Sequence, residues 1–374
     1  MSVSSTSRYH VAVVGGGPAG LASAIALSHQ GFTAIVIERT DYRSLRVGEH
    51  IAPGTKPLLA SLGLSSALEA DRHAACPGIR SVWGRSEPDD KDYLFHPHGE
   101  GLNLSRPDFD LSLAALAGSL GAEVVTAARM LGISRSSSTW HMSFERGGTA
   151  SEIRADVVID ATGRAASIAK RLGARPVVYD DLVGIVGRTT AASPRTSLLF
   201  IEALEVGWWY SAGLADGSIV ATFMTDPDLL DTSQAGRFSA WRGQLQSSSL
   251  TSGRMVDLDE TLDLDIRTAR TQRLDVIEGD GWLAVGDAAM SFDPLSSEGI
   301  SKGLEWGKKA AGVAAAFCRG DRSAVKEYRE SLEAAFSEYL VKRYRYYAAE
   351  KRWPDAPFWR RRQVAPAPIS KVAG

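Results

Sequence analysis

The chain has 374 residues, and its 42 basic and 44 acidic side chains leave a formal net charge of −2. This length is enough for a large core in two domains or in one elaborated domain. The balanced charge gives no general attraction to nucleic acid or to an anionic membrane, so neither is an expected partner.

Cysteine and histidine usage favours a protein of the reducing cytoplasm without a metal site. Cys76 and Cys318 lie far apart in the sequence, and His96 and His98 have no cysteine or acidic partner at metal-ligand spacing. The segment before the first apolar run is short, serine-rich and polar, which predicts neither a signal peptide nor a membrane span.

The first predicted unit has the order strand, glycine turn, helix, strand and acid, and it extends from Val11 to Glu38. Gly15 permits a tight turn, Gly17 lets a pyrophosphate approach the backbone, and Gly20 lets the helix pack closely against the strand. This order predicts a dinucleotide-binding unit rather than a glycine turn without a ligand. It does not by itself separate NAD from FAD.

The ends of this unit supply further predicted contacts. The helix begins near Pro18 and Ala19, where free N–H groups and the positive end of the helix dipole form an anion site. Glu38 lies roughly 20 residues beyond the glycines, beside Arg39, and its carboxylate can accept hydrogen bonds from an adenosine ribose. A solvated strand-end acid is the alternative for Glu38.

A charged loop at 41–52, which we call the strap, carries Arg46, Gly48, Glu49 and His50. A segment that returns from an adenosine site is well placed to cover the middle of an extended dinucleotide. The alternative is an ordinary solvated loop.

The segment from Asn103 to Leu120 predicts a helix with an arginine at its start. Pro107 suits the first helical position, and Asp108 suits the positive end of the helix dipole. Arg106 therefore lies beside the helix start, where it is available to an anion or to a polar ring.

Between 176 and 265 short strand-like runs alternate with Gly, Asp and Ser turns, which predicts an antiparallel sheet. Side chains alternate along a strand, so Trp208 and Tyr210 share one face and Trp209 lies on the other. In a sheet that covers a cofactor these rings can line a substrate pocket. Packing within the core is an equal alternative.

The stretch from Gly281 to Leu304 decides between the two cofactors. An apolar strand ends at Asp287, whose carboxylate can hold a hydroxyl of a ribitol chain, and a helix then begins with free N–H groups. A reduced flavin carries negative charge near such groups, whereas NAD has neither the ribitol chain nor that charge. The sequence therefore predicts FAD, with contacts from Gly286, Asp287, Pro294, Gly299, Ile300 and Ser301.

These elements predict an α/β fold: a Rossmann-like FAD-binding domain of the glutathione reductase type, an inserted antiparallel β-sheet substrate domain and a C-terminal helical tail. The tail turns basic and aromatic, which predicts a packed terminal helix with a solvated or partner-facing basic edge rather than a nucleic-acid site. The predicted ranges are 1–75, 101–175 and 266–320 for the FAD-binding domain, 76–100 and 176–265 for the substrate domain, and 321–374 for the C-terminal segment.

Together these motifs resemble those of the FAD-dependent monooxygenase superfamily of the para-hydroxybenzoate hydroxylase type (group A), and within it the halogenase-like branch. The resemblance includes the glycine turn, the strap, the 160–164 and 207–210 segments and the 286–299 stretch. It implies that Gly15, Gly17 and Gly20 meet the pyrophosphate, Glu38 the adenosine ribose, Arg106 the middle of the cofactor, Asp287 the ribitol and 294–301 the isoalloxazine.

Two positions depart from the halogenases of that branch. The resemblance implies a lysine beyond the strap for halogenation, and Cys76 occupies the matching position. Glu298 precedes Gly299 where those enzymes carry small hydroxyl residues beside the halide, and a carboxylate there would repel the halide by roughly several kcal/mol. The strap, 293–300 and 352–359 are more similar to flavoproteins that oxygenate a tryptophan of a partner protein while cysteine tryptophylquinone forms.

The resemblance implies an FAD monooxygenase in which reduced flavin and O₂ form a C4a-hydroperoxide that hydroxylates an aromatic small molecule or a peptidyl tryptophan of a partner protein. No second glycine fingerprint is present, so NAD(P)H binds transiently or a separate reductase supplies electrons. A flavin-dependent halogenase, a non-oxygenating FAD dehydrogenase or reductase, and a flavin-binding maturation partner for a peptide stay open as alternatives. The candidates for orienting the substrate or moving protons are Glu49, His50, Glu298, Trp208 and Tyr210.

Overall fold

The apolar run at the start of the chain forms the middle of an eight-stranded sheet. The computed structural model describes residues 7–44, 46–65, 73–192, 197–233, 236–256, 258 and 262–365. β1 (Ser7–Val14) pairs in parallel with β2 (Ala34–Ile37) and with β11 (Thr149–Asp160). The sheet is completed by β8 (Glu123–Val125), β9 (Ala128–Ser136), β10 (Thr139–Arg146), β19 (Glu278–Gly279) and β20 (Trp282–Ala284).

A second sheet has seven strands and is antiparallel except at one pair, between β14 and β5. In spatial order its strands are β17 (Leu264–Thr268), β13 (Val183–Thr190), β16 (Ser218–Thr225), β15 (Gly207–Gly213), β14 (Leu199–Leu204), β5 (Gly78–Val82) and β6 (Asp89–Asp92). The predicted faces are confirmed, because Trp208 and Tyr210 pack in one apolar cluster and Trp209 packs in another.

Two three-stranded sheets and eight helices complete the described structure. The small sheets are β3 (His50–Ile51), β7 (Gly101–Asn103) and β4 (Ala74–Cys76), and β12 (Pro176–Val178), β18 (Gln272–Leu274) and β21 (Met290–Ser291). The helices are α1 (Pro18–His29), α2 (Lys56–Ser61), α3 (Arg106–Ser119), α4 (Ser167–Arg171), α5 (Arg237–Gln246), α6 (Gly299–Cys318), α7 (Ser323–Ala349) and α8 (Pro357–Arg362).

The predicted fold class is confirmed, whereas the residue ranges of the domains stay a prediction. Among the described residues, none of the helices combines the length and the apolar character that a bilayer crossing requires.

Several basic residues of the C-terminal tail pair with acids of the same chain, whereas Arg345, Lys351 and Arg360 are exposed, as expected of a packed helix with a solvated basic edge. Arg362 is 2% exposed and pairs with Asp226, which also binds Arg361 at 2.9 Å. Arg343 of α7 binds Asp180 at 2.8 Å. These cations neutralise buried acids of the same chain, because an unpaired charge in the interior would be costly.

Helices α1 and α6 approach closely because small residues lie at their contact. A Cβ added to Gly307 would lie 2.3 Å from the carbonyl oxygen of Ala19 and 2.9 Å from Cβ of Ala22. Ser23 Oγ donates a hydrogen bond to the Gly307 carbonyl oxygen at 2.9 Å. This contact fixes α6 against the helix that follows the glycine turn.

We expect Gly307→Ala to destabilise the protein, because the methyl group has no room beside Ala19 and overpacking costs about 1–3 kcal/mol. Gly312→Ala is the matched control, since a Cβ there meets no atom within 4 Å and alanine improves helix propensity by up to about 1 kcal/mol. Chemical unfolding followed by circular dichroism measures both changes. Equal stability of the two variants would contradict the described packing.

Candidate active site

A cavity of about 300 Å³ lies between the two large sheets. One wall comes from residues that follow the carboxyl ends of β1, β11 and β20, and the opposite wall from β13, β15 and β16. The strap and the loop at 292–299 form two further sides. Ligand sites of open α/β sheets lie at such strand ends, so this cavity is the candidate active site.

The glycine turn presents the start of α1 to the cavity. Gly15 has a φ of +106°, and a Cβ there would lie 2.2 Å from the carbonyl oxygen of Ala161. A Cβ on Gly20 would lie 2.0 Å from the Gly15 carbonyl oxygen, whereas one on Gly17 would meet nothing within 4 Å. Gly15 and Gly20 therefore allow close packing, and Gly17 leaves room for a ligand at the helix start. The cavity is lined here by Gly17, Pro18 and Ala19.

Glu38 and Arg46 do not line the cavity, and they bind each other at 2.8 Å. The Glu38 carboxylate also accepts a hydrogen bond from the Gly16 N–H at 2.7 Å, and Arg46 donates to Asp110 of α3 at 2.8 Å. This network joins the glycine turn, the strap and α3. Arg39 is exposed, and the adenosine contact of Glu38 stays a prediction.

Arg106 lies at the start of α3 and lines the cavity. Its guanidinium group donates to the carbonyl oxygens of Val47 and Gly48 and binds Asp110 at 3.1 Å. Among the described residues its Nε has no hydrogen-bond partner, although the side chain is buried. A buried cation with a free donor is suited to a polar atom of a bound ligand.

Asp287 follows β20 in a short turn that begins at Gly286, where φ is +58°. The Asp287 carboxylate lies 3.4 Å from Nε of Arg164, and its side chain is 37% exposed because it faces the cavity. The exposed surface of Asp287 opens on the cavity and not on bulk solvent, so desolvation raises its pKa, and the charges of Arg164 and Arg106 oppose that rise. An accessible carboxylate at this strand end can accept hydrogen bonds from ribitol hydroxyl groups.

The loop at 293–298 is held by residues of α7 that sequence reasoning missed. Asp293 is 1% exposed, and its carboxylate accepts a hydrogen bond from the Tyr347 hydroxyl at 2.7 Å and lies 3.4 Å from Nε of Arg343. Its backbone N–H donates to the Tyr339 hydroxyl at 2.6 Å. The signal in the sequence was the spacing of four residues between these polar side chains, which places them on one face of a helix.

Only part of the predicted flavin-facing stretch reaches the cavity. Pro294, Gly299 and Ile300 line it, whereas Ser301 Oγ donates to the Glu298 carbonyl oxygen at 3.0 Å. The Glu298 carboxylate pairs with Lys342 of α7 at 2.5 Å and does not line the cavity. The structure therefore does not bring Glu298 to the expected substrate side, because its charge is balanced by α7.

Three other predicted substrate-side residues line the cavity with unpaired polar atoms. Glu49 Oε1, His50 Nε2 and the Tyr210 hydroxyl are buried and have no hydrogen bond of ordinary geometry within the described part of the chain, although the Glu49 carboxylate and the Tyr210 hydroxyl lie close enough to interact with each other. Burial raises the pKa of Glu49 and lowers that of His50 to about 4, and burial together with the Glu49 charge raises the pKa of Tyr210. Such buried, unpaired groups with shifted pKa values are concentrated at functional sites.

Trp208 does not line the cavity, although it shares a sheet face with Tyr210. Its ring packs against Trp83, and its Nε1 donates to the Tyr347 hydroxyl at 3.1 Å. The C-terminal segment covers this part of the face, so Trp208 is a packing residue here.

The residues around the cavity fit FAD. The start of α1 offers an anion site, Arg106 offers a free donor, and Asp287 offers an accessible acceptor, as a pyrophosphate joined to a ribitol chain requires. Among the described residues no group of three or more His, Cys, Asp or Glu side chains is arranged to hold a metal ion. The fold and this cavity define an FAD-dependent flavoprotein oxidoreductase.

Comparison with known proteins identifies the family. The FAD binding domain family matches residues 8–331, and the chain belongs to this family. LodB of Marinomonas mediterranea, described as a putative FAD-dependent oxidoreductase, is 32% identical over 366 residues, which cover 95% of this chain and 97% of LodB. A tryptophan 2-halogenase of Chondromyces crocatus is 24% identical over 379 aligned positions, in an alignment that covers 95% of this chain and 70% of that enzyme.

Solved structures agree with this assignment. The flavin-dependent halogenase CmlS superposes with a TM-score of 0.86 at 23% identity, covering 97% of this chain and 68% of that one. The peptidyl tryptophan dihydroxylase QhpG, essential for tryptophylquinone cofactor biogenesis, superposes with a TM-score of 0.81 at 25% identity, covering 96% and 79%. The predicted superfamily, its halogenase-like branch and the FAD cofactor are confirmed.

The lowered pKa of His50 predicts a pH-dependent loss of stability. Folded His50 stays neutral down to about pH 4, whereas the unfolded residue takes up a proton below about pH 6.5. The wild-type protein therefore loses stability on the order of 3 kcal/mol as the pH falls through this window. His50→Gln removes this dependence. The stability of the wild-type protein relative to His50→Gln should therefore fall by about that amount between pH 7 and pH 4.

Urea unfolding at saturating FAD across this pH range measures the effect. His98→Gln, on the exposed loop before β7, is the matched control. A constant difference between wild type and His50→Gln would show that burial does not hold His50 neutral.

Proposed function

We propose that this protein is a monooxygenase that inserts one atom of O₂ into an electron-rich aromatic ring, and that the ring is the indole of a tryptophan in a partner polypeptide. The observation that carries the proposal is the cluster of Glu49, His50 and Tyr210, whose unpaired polar atoms face the same cavity as the predicted flavin-facing residues. The similarity to QhpG over 96% of the chain supports the peptidyl substrate.

Bound FAD supplies the redox chemistry, and the electrons come from NAD(P)H or from a separate reductase. One oxygen atom enters the ring and the other leaves as water. The chain contributes binding, orientation and exclusion of water. The start of α6, at Gly299 and Ile300, lies at the cavity, where its N–H groups can stabilise negative charge on the reduced cofactor.

The opposite wall can accept a flat ring. It is formed by Gly184, Val186, Thr222 and Met224 beside Tyr210. A Cβ on Gly184 would lie 2.8 Å from Cγ2 of Thr222 and 3.1 Å from Sδ of Met224, so glycine here lets these two side chains pack closely along the wall. The wall is apolar except at its edges, as a site for an indole requires.

The three unpaired polar groups can orient the ring and move a proton. An indole N–H can donate to Glu49 Oε1, and the Tyr210 hydroxyl can bind polar atoms on the same side. The ring carbon that gains oxygen must lose its proton to a base. His50 Nδ1 lies 3.2 Å from the Asn103 amide oxygen, which leaves Nε2 as the accepting atom of the ring. Burial lowers the pKa of His50 to about 4, so it is a weak base that is neutral at pH 7 and serves for the release of a proton that the ring loses readily.

Halogenation is the alternative that the homologues raise. No lysine is among the described residues that line the cavity. Cys76, at the position where the resemblance implies the halogenase lysine, is fully buried, and its thiol donates to the Gly78 carbonyl oxygen at 3.2 Å. These observations support oxygenation over halogenation.

Isotope labelling tests the reaction. We expect that the protein, with FAD, a flavin reductase, NADH and ¹⁸O₂, places ¹⁸O in the indole of tryptophan peptides or in a related aromatic compound, even with chloride and bromide present. Mass spectrometry of the products measures this outcome. A halogenated product would select the halogenase, and a desaturated or reduced product without ¹⁸O would select a dehydrogenase or reductase.

Tyr210→Phe tests the substrate-side cluster. We expect kcat/KM to fall about tenfold to a hundredfold, because a hydrogen bond to the substrate is lost in a dry site, while the FAD content per protein stays unchanged. Tyr179→Phe is the matched control, because Tyr179 is 38% exposed and does not line the cavity. Unchanged kcat/KM in Tyr210→Phe would remove Tyr210 from the proposed mechanism.

A further inference from the structure

The seven-stranded sheet has two edge strands of different character. β6 consists of four exposed charged residues, from Asp89 to Asp92, as is usual for an edge that avoids pairing. β17 forms the opposite edge, and its residues Arg267 and Thr268 line the cavity and are exposed. The edge that borders the candidate active site is therefore β17.

The hydrogen bonds of β17 leave alternate backbone groups directed away from the sheet. Ala269 N–H donates to the Leu182 carbonyl oxygen at 2.8 Å. Because residues that bond to the neighbouring strand alternate with residues that do not, Asp265 and Arg267 direct their backbone groups towards β13. Ile266 and Thr268 therefore direct their N–H and C=O groups outward. Within the described part of the chain, these outward groups have no hydrogen-bond partner.

Among the described residues, a side chain from another element covers only one end of this edge. The outward carbonyl oxygen of Leu264 accepts a hydrogen bond from the Arg237 guanidinium group at 2.6 Å, so α5 covers the end of β17 that is remote from the cavity. Exposure rises along the strand, from buried Leu264 to exposed Thr268. The open half of the edge is the half beside the cavity.

We propose that β17 is the docking edge for the substrate polypeptide, which adds an extended strand beside Ile266 and Thr268 and places its tryptophan in the cavity. The proposal rests on the monooxygenase function above and assigns the surface on which its polypeptide substrate binds. A row of alternating donors and acceptors at strand spacing matches a polypeptide backbone, which a free aromatic molecule does not provide.

The register explains how the side chain would reach the site. Arg267 pairs with Gly184, and Asp265 pairs with Val186, so these four residues share the sheet face that forms a wall of the cavity. On an added strand, the residue opposite Arg267 directs its side chain to the same face. Asp265 and Arg267 form an ion pair on this face, so the charge beside the added strand is balanced.

Peptide binding with the holoenzyme tests the proposal. The probe is a library of synthetic peptides of about nine residues with one central tryptophan and randomised flanks. Peptides enriched by the wild-type protein should bind Thr268→Pro about tenfold more weakly, because proline removes one outward donor. Asp90→Pro, at an outward position of β6, is the matched control and should bind as wild type does.

Backbone N-methylation of an enriched peptide gives a test that does not depend on the folding of a variant. In an added strand only every second N–H group faces β17. Methylation should therefore weaken binding either at the odd-numbered or at the even-numbered peptide positions, but not at both. Three results would each overturn the docking edge. They are equal effects of methylation at odd and even peptide positions, no enrichment of any peptide, and equal binding by wild type and Thr268→Pro.

The two proposals fail in distinguishable ways. If N-acetyltryptophanamide is oxygenated as efficiently as the enriched peptides, the docking edge is wrong and the monooxygenase stands. If methylation weakens peptide binding at alternate positions only, but no aromatic compound is ever oxygenated, the docking edge stands and the proposed monooxygenase function is wrong.

Discussion

The arrangement of the cavity depends on the close approach of the start of α1 to the end of β1. At Gly15 and Gly20 any side chain would collide with the backbone, so α1 lies directly at the end of β1. The same helix then contacts α6 through Gly307. The starts of both helices consequently open on one cavity, and both present the positive ends of their dipoles to it. An anionic cofactor that gains charge on reduction is the ligand for which this arrangement is suited.

Around that cavity the polar groups divide into two sets. Glu38, Arg46, Asp110 and Asp293 have partners within the chain and fix the strap and the loop at 293–298. Glu49, His50 and Tyr210 are buried just as deeply but lack full partners. Because an unpaired buried polar group costs free energy, the second set is where a ligand has most to contribute. The division separates the supporting framework from the reactive side of the site.

Much of this arrangement could be predicted from the sequence, because the signals are local. The glycines around α1, the start of α3 at Arg106 and the alternation at 208–210 each depend on near neighbours, and the structure has them as expected. Glu298 and Trp208 were expected on the substrate side, yet both are held by α7, through Lys342 and Tyr347. Those contacts join residues more than 40 positions apart, and local patterns do not encode them. The role of Asp293 was missed for the same reason.

The bond between Asp293 and Tyr347 also bears on how the protein is made. Asp293 lies in the loop beside the cavity, and the side chains that bind its buried carboxylate, Arg343 and Tyr347, come close to the C-terminus. During synthesis the glycine turn and most of both sheets leave the ribosome before α7 exists, since chains emerge from the N-terminus. The Asp293 carboxylate accepts a local hydrogen bond from the Leu295 N–H at 3.0 Å, but in the nascent protein it lacks the Arg343 and Tyr347 partners until α7 docks. This side of the cavity is thus held in place only after α7 has been made and has docked against the loop.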